Sequence, residues 1–134
     1  MTTPKQQNEL IVRALSVRAR AYAPYSEYAV GAALISTSGR VFDGVNVENA
    51  SYPLSMCAER TAIFKAVSEG ERNFNLIVVA SENGGSPCGA CRQVMAEFGL
   101  DTRVLTVNAS GEAVLDTTVS ELLPDAFLPG DLQR

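Results

Sequence analysis

Along residues 5–22 apolar side chains recur at Leu10, Ala14, Val17 and Ala21, with Arg and Gln between them, the spacing of one helix face. Pro24 closes that helix. "YAVGAALIS" (28–36) reads as a strand, "TSGR" as a tight turn, and residues 41–47 as a second strand. The loop "ENASYPLSM" leads to a helix over 57–69 that Gly70 ends. "FNLIVVA" (74–80) is apolar without alternation, the pattern of a strand covered on both faces. After "SENGGSP" a helix is expected over 88–98, ended by Gly99, and "RVLTVN" is a second buried strand. "ASGE" turns the chain into a short apolar piece, and "TVSELLP" makes a last helical turn capped by Thr118 or Ser120. Helix, two strands, then strand and helix in alternation predict a three-layer α/β/α fold with a mixed central sheet.

Composition narrows the class. With 134 residues the chain suits one domain, 1–134, able to close a single core. A hydrophobic share of 46% and a charged share of 19% describe a globular protein. Apolar runs such as "LIVVA" are too short to span a bilayer, and the polar start "MTTPKQQNEL" has no signal core, so a cytoplasmic protein without membrane contact is expected. The net charge is −4, and the basic residues are scattered apart from Arg13, Arg18 and Arg20. Nucleic-acid binding calls for a basic face that this chain lacks, so no nucleic-acid partner is expected and the cluster reads as a solvated helix face.

Three cysteines and no histidine raise the chemical question. Cysteine is often only a small buried apolar residue. A disulfide would leave one of three unpaired. A redox couple at a helix N-terminus accounts for Cys88 and Cys91 but gives Cys57 no work. Structural zinc needs four closed ligands of Cys or His type, one more than the chain has. Three ligands with an open fourth position are the arrangement of catalytic zinc. Cys88 and Cys91 fall on one helix face, Cys57 opens another helix, and Glu59 stands two residues beyond it. A carboxylate beside the metal but not bound to it is what activating a water requires.

"CAE" (57–59), followed about thirty residues on by "PCGAC" (87–91), resembles the zinc-dependent deaminase signature. "AYAPYSEYAVGAAL", "GVNVENASY", "CAERTAIFKAVSEG", "PCGACRQV" and "ELLPDAF" extend the likeness over nearly the whole chain, to the homotetrameric cytidine deaminases of pyrimidine salvage. The resemblance implies one Zn²⁺ per chain on Cys57, Cys88 and Cys91, and Glu59 as the catalytic acid–base group. It implies ribose binding by Asn46 and Glu48, and places Tyr28, Tyr52 and Phe127 around the substrate, with Tyr52 and Phe127 reaching into adjacent subunits. It also implies a small-molecule nucleoside substrate, with cytidine and deoxycytidine converted to uridine and deoxyuridine. Tyr28 stands where many members carry Phe.

Taken alone, Asn46 and Glu48 would be an exposed strand edge, and the aromatics ordinary core residues. Arg60 and Arg92 are expected to donate to the thiolates, because three thiolates and a hydroxide on one Zn²⁺ sum to −2 and make a poor Lewis acid. "PDAFLPGD" is too sparsely apolar to hold itself in a monomer's core, so Phe127 is expected to serve a neighbour. An aminonucleoside-antibiotic deaminase and a polynucleotide deaminase would share the zinc motifs. "NVEN" counts against the first and the acidic surface against the second.

Overall fold

The computed structural model describes residues 2–132. Helix α1 (Pro4–Arg18) starts in a capping box between Thr3 and Gln6. Strands β1 (Gly31–Ser36) and β2 (Val41–Val45) form an antiparallel hairpin. Helix α2 (Ala58–Ser68), strand β3 (Phe74–Ala80), helix α3 (Gly89–Phe98) and strand β4 (Arg103–Val107) follow. Strand β5 (Ala113–Thr118) and the short helix α4 (Val119–Leu122), capped by Thr118, complete the sheet layer. The strand order is β2-β1-β3-β4-β5, with β3–β4 parallel and the other pairs antiparallel. The fold is therefore α/β with a mixed five-stranded sheet.

Two cores lie on opposite faces. Helix α1 covers one, where Leu10 and Ala14 meet Ile35, Leu76, Val78 and Leu105. Helices α2 and α3 cover the other, where Ala62, Ile63, Cys91 and Met95 meet Leu34, Ile77, Val79 and Val104. Strand β3 feeds both, which is why it shows no alternation. Two glycines let the helices approach. A Cβ on Gly31 would lie 2.2 Å from Ala14 O of α1, and one on Gly44 would lie 2.6 Å from Ala62 N of α2.

Some boundaries differ from the sequence reading. Helix α1 ends at Arg18 instead of 22, because Tyr22 pairs with the end of the hairpin: its N–H donates to Asn46 O and its carbonyl accepts from Glu48 N–H. Strand β1 begins at Gly31 instead of 28, because the Asn46 side chain takes the bonds that a ladder would supply, accepting from Val30 N–H and donating to Tyr28 O. The apolar piece after "ASGE" is a full edge strand, β5, in which half of the residues are exposed and none is buried. Among the described residues no helix is long and apolar enough to cross a membrane.

Candidate active site

Cys57 is the N-cap of α2 and Cys88 the N-cap of α3, both with extended backbone and with no side-chain capping bond. Neither sulfur is spent on capping its helix backbone, so both can turn to a ligand. Cys91 sits one turn into α3 and is fully buried. Cys57 Sγ lies 3.8 Å from Cys88 Sγ, which lies 3.5 Å from Cys91 Sγ, and all three sulfurs fall within 4.8 Å of one another. Tetrahedral zinc with Zn–S bonds of about 2.3 Å sets its sulfurs about 3.8 Å apart. The donor set fits one zinc per chain.

The electrostatics point the same way. A hydrogen bond from Cys91, together with Arg60 Nη2 at 3.3 Å, lowers the Cys57 thiol to about 5. The Cys91 thiol is pushed far up by its bond to Cys57 and by burial. Three thiolates cannot coexist in this space without a cation among them, whereas the positive ends of two helices and a divalent ion hold all three ionised.

These elements open on a cavity of about 440 Å³, of nucleoside size. Its wall includes Cys57, Glu59, Arg60 and Cys88 from the helices, and Tyr28, Asn46, Glu48 and Tyr52 from the opposite side. Glu59 is 5% exposed, and burial raises its carboxyl above the ordinary range, as the neighbouring Cys57 charge also does. Glu48 accepts from Tyr25 N–H and Ser26 N–H, each at 3.0 Å, and from the Ser26 hydroxyl, which holds its carboxyl below the usual range. Asn46 and Glu48 are thus buried and bonded, not the exposed edge that their alternation alone suggests. Tyr52 stands edge-on to Tyr25 and is 55% exposed at the cavity rim.

Two expectations need correction. Arg92 does not reach the sulfurs: Nε donates to Pro87 O, Nη1 to Leu122 O and Nη2 to Ser86 Oγ. A guanidinium on a first helical turn is well placed to gather the carbonyls of the loop leading in, and this one staples the approach to Cys88 onto α4. The C-terminal segment, in turn, does hold itself on its own chain. Leu123, Ala126 and Leu128 pack against the α2/α3 core, and Gln93 Nε2 donates to Phe127 O. The Phe127 ring is left outward, 56% exposed and outside the lining of this cavity.

Sequence reasoning missed the loops that support the site. Ser26 carries Glu48, and Ser81 Oγ accepts from Gly84 and Gly85 N–H at 3.0 and 3.2 Å. Thr106 Oγ1 donates to Gly84 O. "SENGG" signals a turn but not its partners, which come from β4 and from the segment before β1.

Residues 4–107 match the family described as "Cytidine and deoxycytidylate deaminase zinc-binding region". The chain is 52% identical over 126 residues to the cytidine deaminase of Halalkalibacterium halodurans, covering 92% of this chain and 95% of the relative. It is 47% identical over 127 residues to that of Sporosarcina psychrophila, covering 92% and 93%. The crystal structure of cytidine deaminase from Burkholderia pseudomallei superposes with a TM-score of 0.86 at 48% identity, covering 95% of this chain and all of that one.

Proposed function

The chain belongs to the cytidine and deoxycytidylate deaminase zinc-binding family, and on that footing we propose that it hydrolyses cytidine and deoxycytidine to uridine and deoxyuridine with release of ammonia. The observation that carries the reading is the convergence of three thiols from two helix N-termini beside a buried carboxyl on the wall of a nucleoside-sized cavity.

A zinc ion held by Cys57, Cys88 and Cys91 supplies a Lewis acid that makes water acidic near neutral pH. Glu59 accepts the proton of the attacking water and delivers it to N3 of the cytosine ring as C4 takes the oxygen. The same carboxylate then takes the proton of the new C4 hydroxyl and passes it to the 4-amino group, which leaves as ammonia as the C4 carbonyl forms. Cytidine and water become uridine and ammonia, with no net proton gained or lost at Glu59. A carboxyl raised by burial is suited to both directions of transfer. Arg60, donating to Cys57 Sγ, draws negative charge from the sulfurs. Asn46 and Glu48 bind ribose hydroxyls, and Tyr28 and Tyr52 flank the nucleoside. Arg92 acts at one remove, by holding the loop before Cys88.

The ionised Glu48 disfavours a phosphate on the sugar, and the acidic surface disfavours polynucleotides. Loss of cytidine absorbance should therefore be fast for free nucleosides and slow for cytosine base, the 3′-phosphate or an oligonucleotide. Comparable turnover of cytosine would overturn the ribose assignment. A zinc-loaded protein inert toward cytidine would overturn the function.

The reading extends to a cytoplasmic homotetramer with shared sites, in which the outward Phe127 ring closes a neighbour's cavity. Light scattering at assay concentration tests the assembly. Mixing Glu59→Gln chains with Phe127→Ala chains should recover activity, since mixed oligomers contain sites with both groups. A fully active monomer would exclude sharing.

A further inference from the structure

Residue 28 touches both sides of the cavity. Its backbone belongs to the ribose side: Tyr28 N–H donates to Ser26 Oγ at 3.1 Å, Ser26 in turn bonds Glu48, and Tyr28 O accepts from Asn46 Nδ2 at 2.8 Å. Its side chain belongs to the metal side: the phenol donates to Asn83 Oδ1 at 2.5 Å, in the loop that runs through Gly84 and Gly85 to Cys88. That loop is held from behind by Ser81 and Thr106. Gly85 lines the cavity, and a Cβ there would stand 3.0 Å from the Tyr28 hydroxyl. The other neighbour within 4 Å is Asn83 Oδ1, at an ordinary 3.5 Å. The phenol therefore lies, on the way to its acceptor, across a glycine where a methyl group would press on the hydroxyl and make it give by a few tenths of an ångström.

We propose that the Tyr28 hydroxyl, bonded to Asn83 across Gly85, is a strap that sets the spacing between the sugar-binding and metal-binding walls, making Tyr28, Asn83 and Gly85 positioning residues for substrate binding. The proposal rests on the reading of this cavity as the nucleoside site. A second tie, in which Arg18 Nε donates to Ala29 O at 2.9 Å while Nη2 pairs with Glu82 at 3.2 Å, joins the same two segments outside the cavity. Loss of the phenol hydroxyl alone thus loosens the spacing without releasing the loop. Neither Glu59 nor a thiol is part of the strap. Its loss falls on binding and leaves the chemical step in place.

The test is a double-variant cycle on zinc-loaded enzyme, read by thermal midpoint and by cytidine kinetics. Tyr28→Phe removes one neutral hydrogen bond and should raise KM about three- to tenfold, with kcat within about twofold. Gly85→Ala should raise KM in the same way and lower the thermal midpoint, because its methyl displaces the hydroxyl. In the Tyr28→Phe background the hydroxyl is gone, so Gly85→Ala should cost almost nothing further in either readout. Additive effects of the two changes, or a Tyr28→Phe enzyme with unchanged KM, would overturn the strap. A fall in kcat at constant KM would overturn its assignment to binding. A wild type inactive on cytidine would remove the functional premise and the substrate role with it, while the thermal cycle would still decide whether the hydroxyl and Gly85 are coupled.

Discussion

Helix α1 and helix α2 each cross the β1–β2 hairpin over a glycine, but on opposite faces and to different ends. Under α1 the buried cluster is aliphatic, from Leu10 and Ala14 to Leu105 and Val107, and it contributes by apolar area alone. Under α2 and α3 the same sheet carries Cys57, Cys91 and Glu59, and Arg60 Nε is buried without a hydrogen-bond partner in the described structure. Burying a carboxyl, thiols and a guanidinium nitrogen costs stability unless something answers their charge. The first face contributes apolar area only, whereas the second adds to its own apolar core a buried polar group that is left electrostatically incomplete.

Removing a thiol breaks the contrast most sharply. Cys57→Ala or Cys91→Ala should abolish zinc binding and activity, as read by elemental analysis and the cytidine assay, and should destabilise the fold because the metal ties two helices together. On the other face Leu10→Ala should cost about 2–5 kcal/mol in denaturant unfolding while zinc stoichiometry stays at one per chain. Glu59→Gln comes next in size. Zinc content should remain normal and activity should fall at least about a hundredfold; a variant with a tenth of wild-type activity would mean that another group moves the proton.

The two glycines give a finer comparison. Gly31→Ala and Gly44→Ala each force a helix off the sheet, and each should cost about 1–3 kcal/mol. Only Gly44→Ala moves the helix that begins at Cys57, so it alone should also weaken zinc retention against a chelator. The smallest effect is at the sheet's far edge. Arg103 donates to both oxygens of Asp116 and holds that carboxyl below its ordinary range, while its Nη1 reaches Gln7 of α1. A depressed carboxyl contributes stability above its unfolded pKa, and loses it as pH falls through the folded value. Asp116→Asn should therefore flatten the acid limb of stability below about pH 4, by less than about 1 kcal/mol because the pair is half exposed.

The periodicities by themselves determined the two main helices of the site and the buried strands, since a run such as "FNLIVVA" has few other ways to satisfy its side chains. Cysteine count and spacing, with Glu59 two residues on, determined the chemistry, because ligand number and acid–base groups are properties of residue type. Tertiary structure decided what depends on partners distant in sequence. It stopped α1 at Arg18 by giving Tyr22 to the hairpin, and made β5 a strand by pairing it with β4. It turned Arg92 from the sulfurs to two acceptors in the loop before Cys88 and one at the end of α4, and anchored the last segment with the Phe127 ring outward. Only folding carried the Tyr28 phenol over Gly85 to Asn83, a contact between residues 55 apart in the chain. A hydrogen bond needs its two atoms within about 3 Å, and the pattern of a sequence carries no term for that distance.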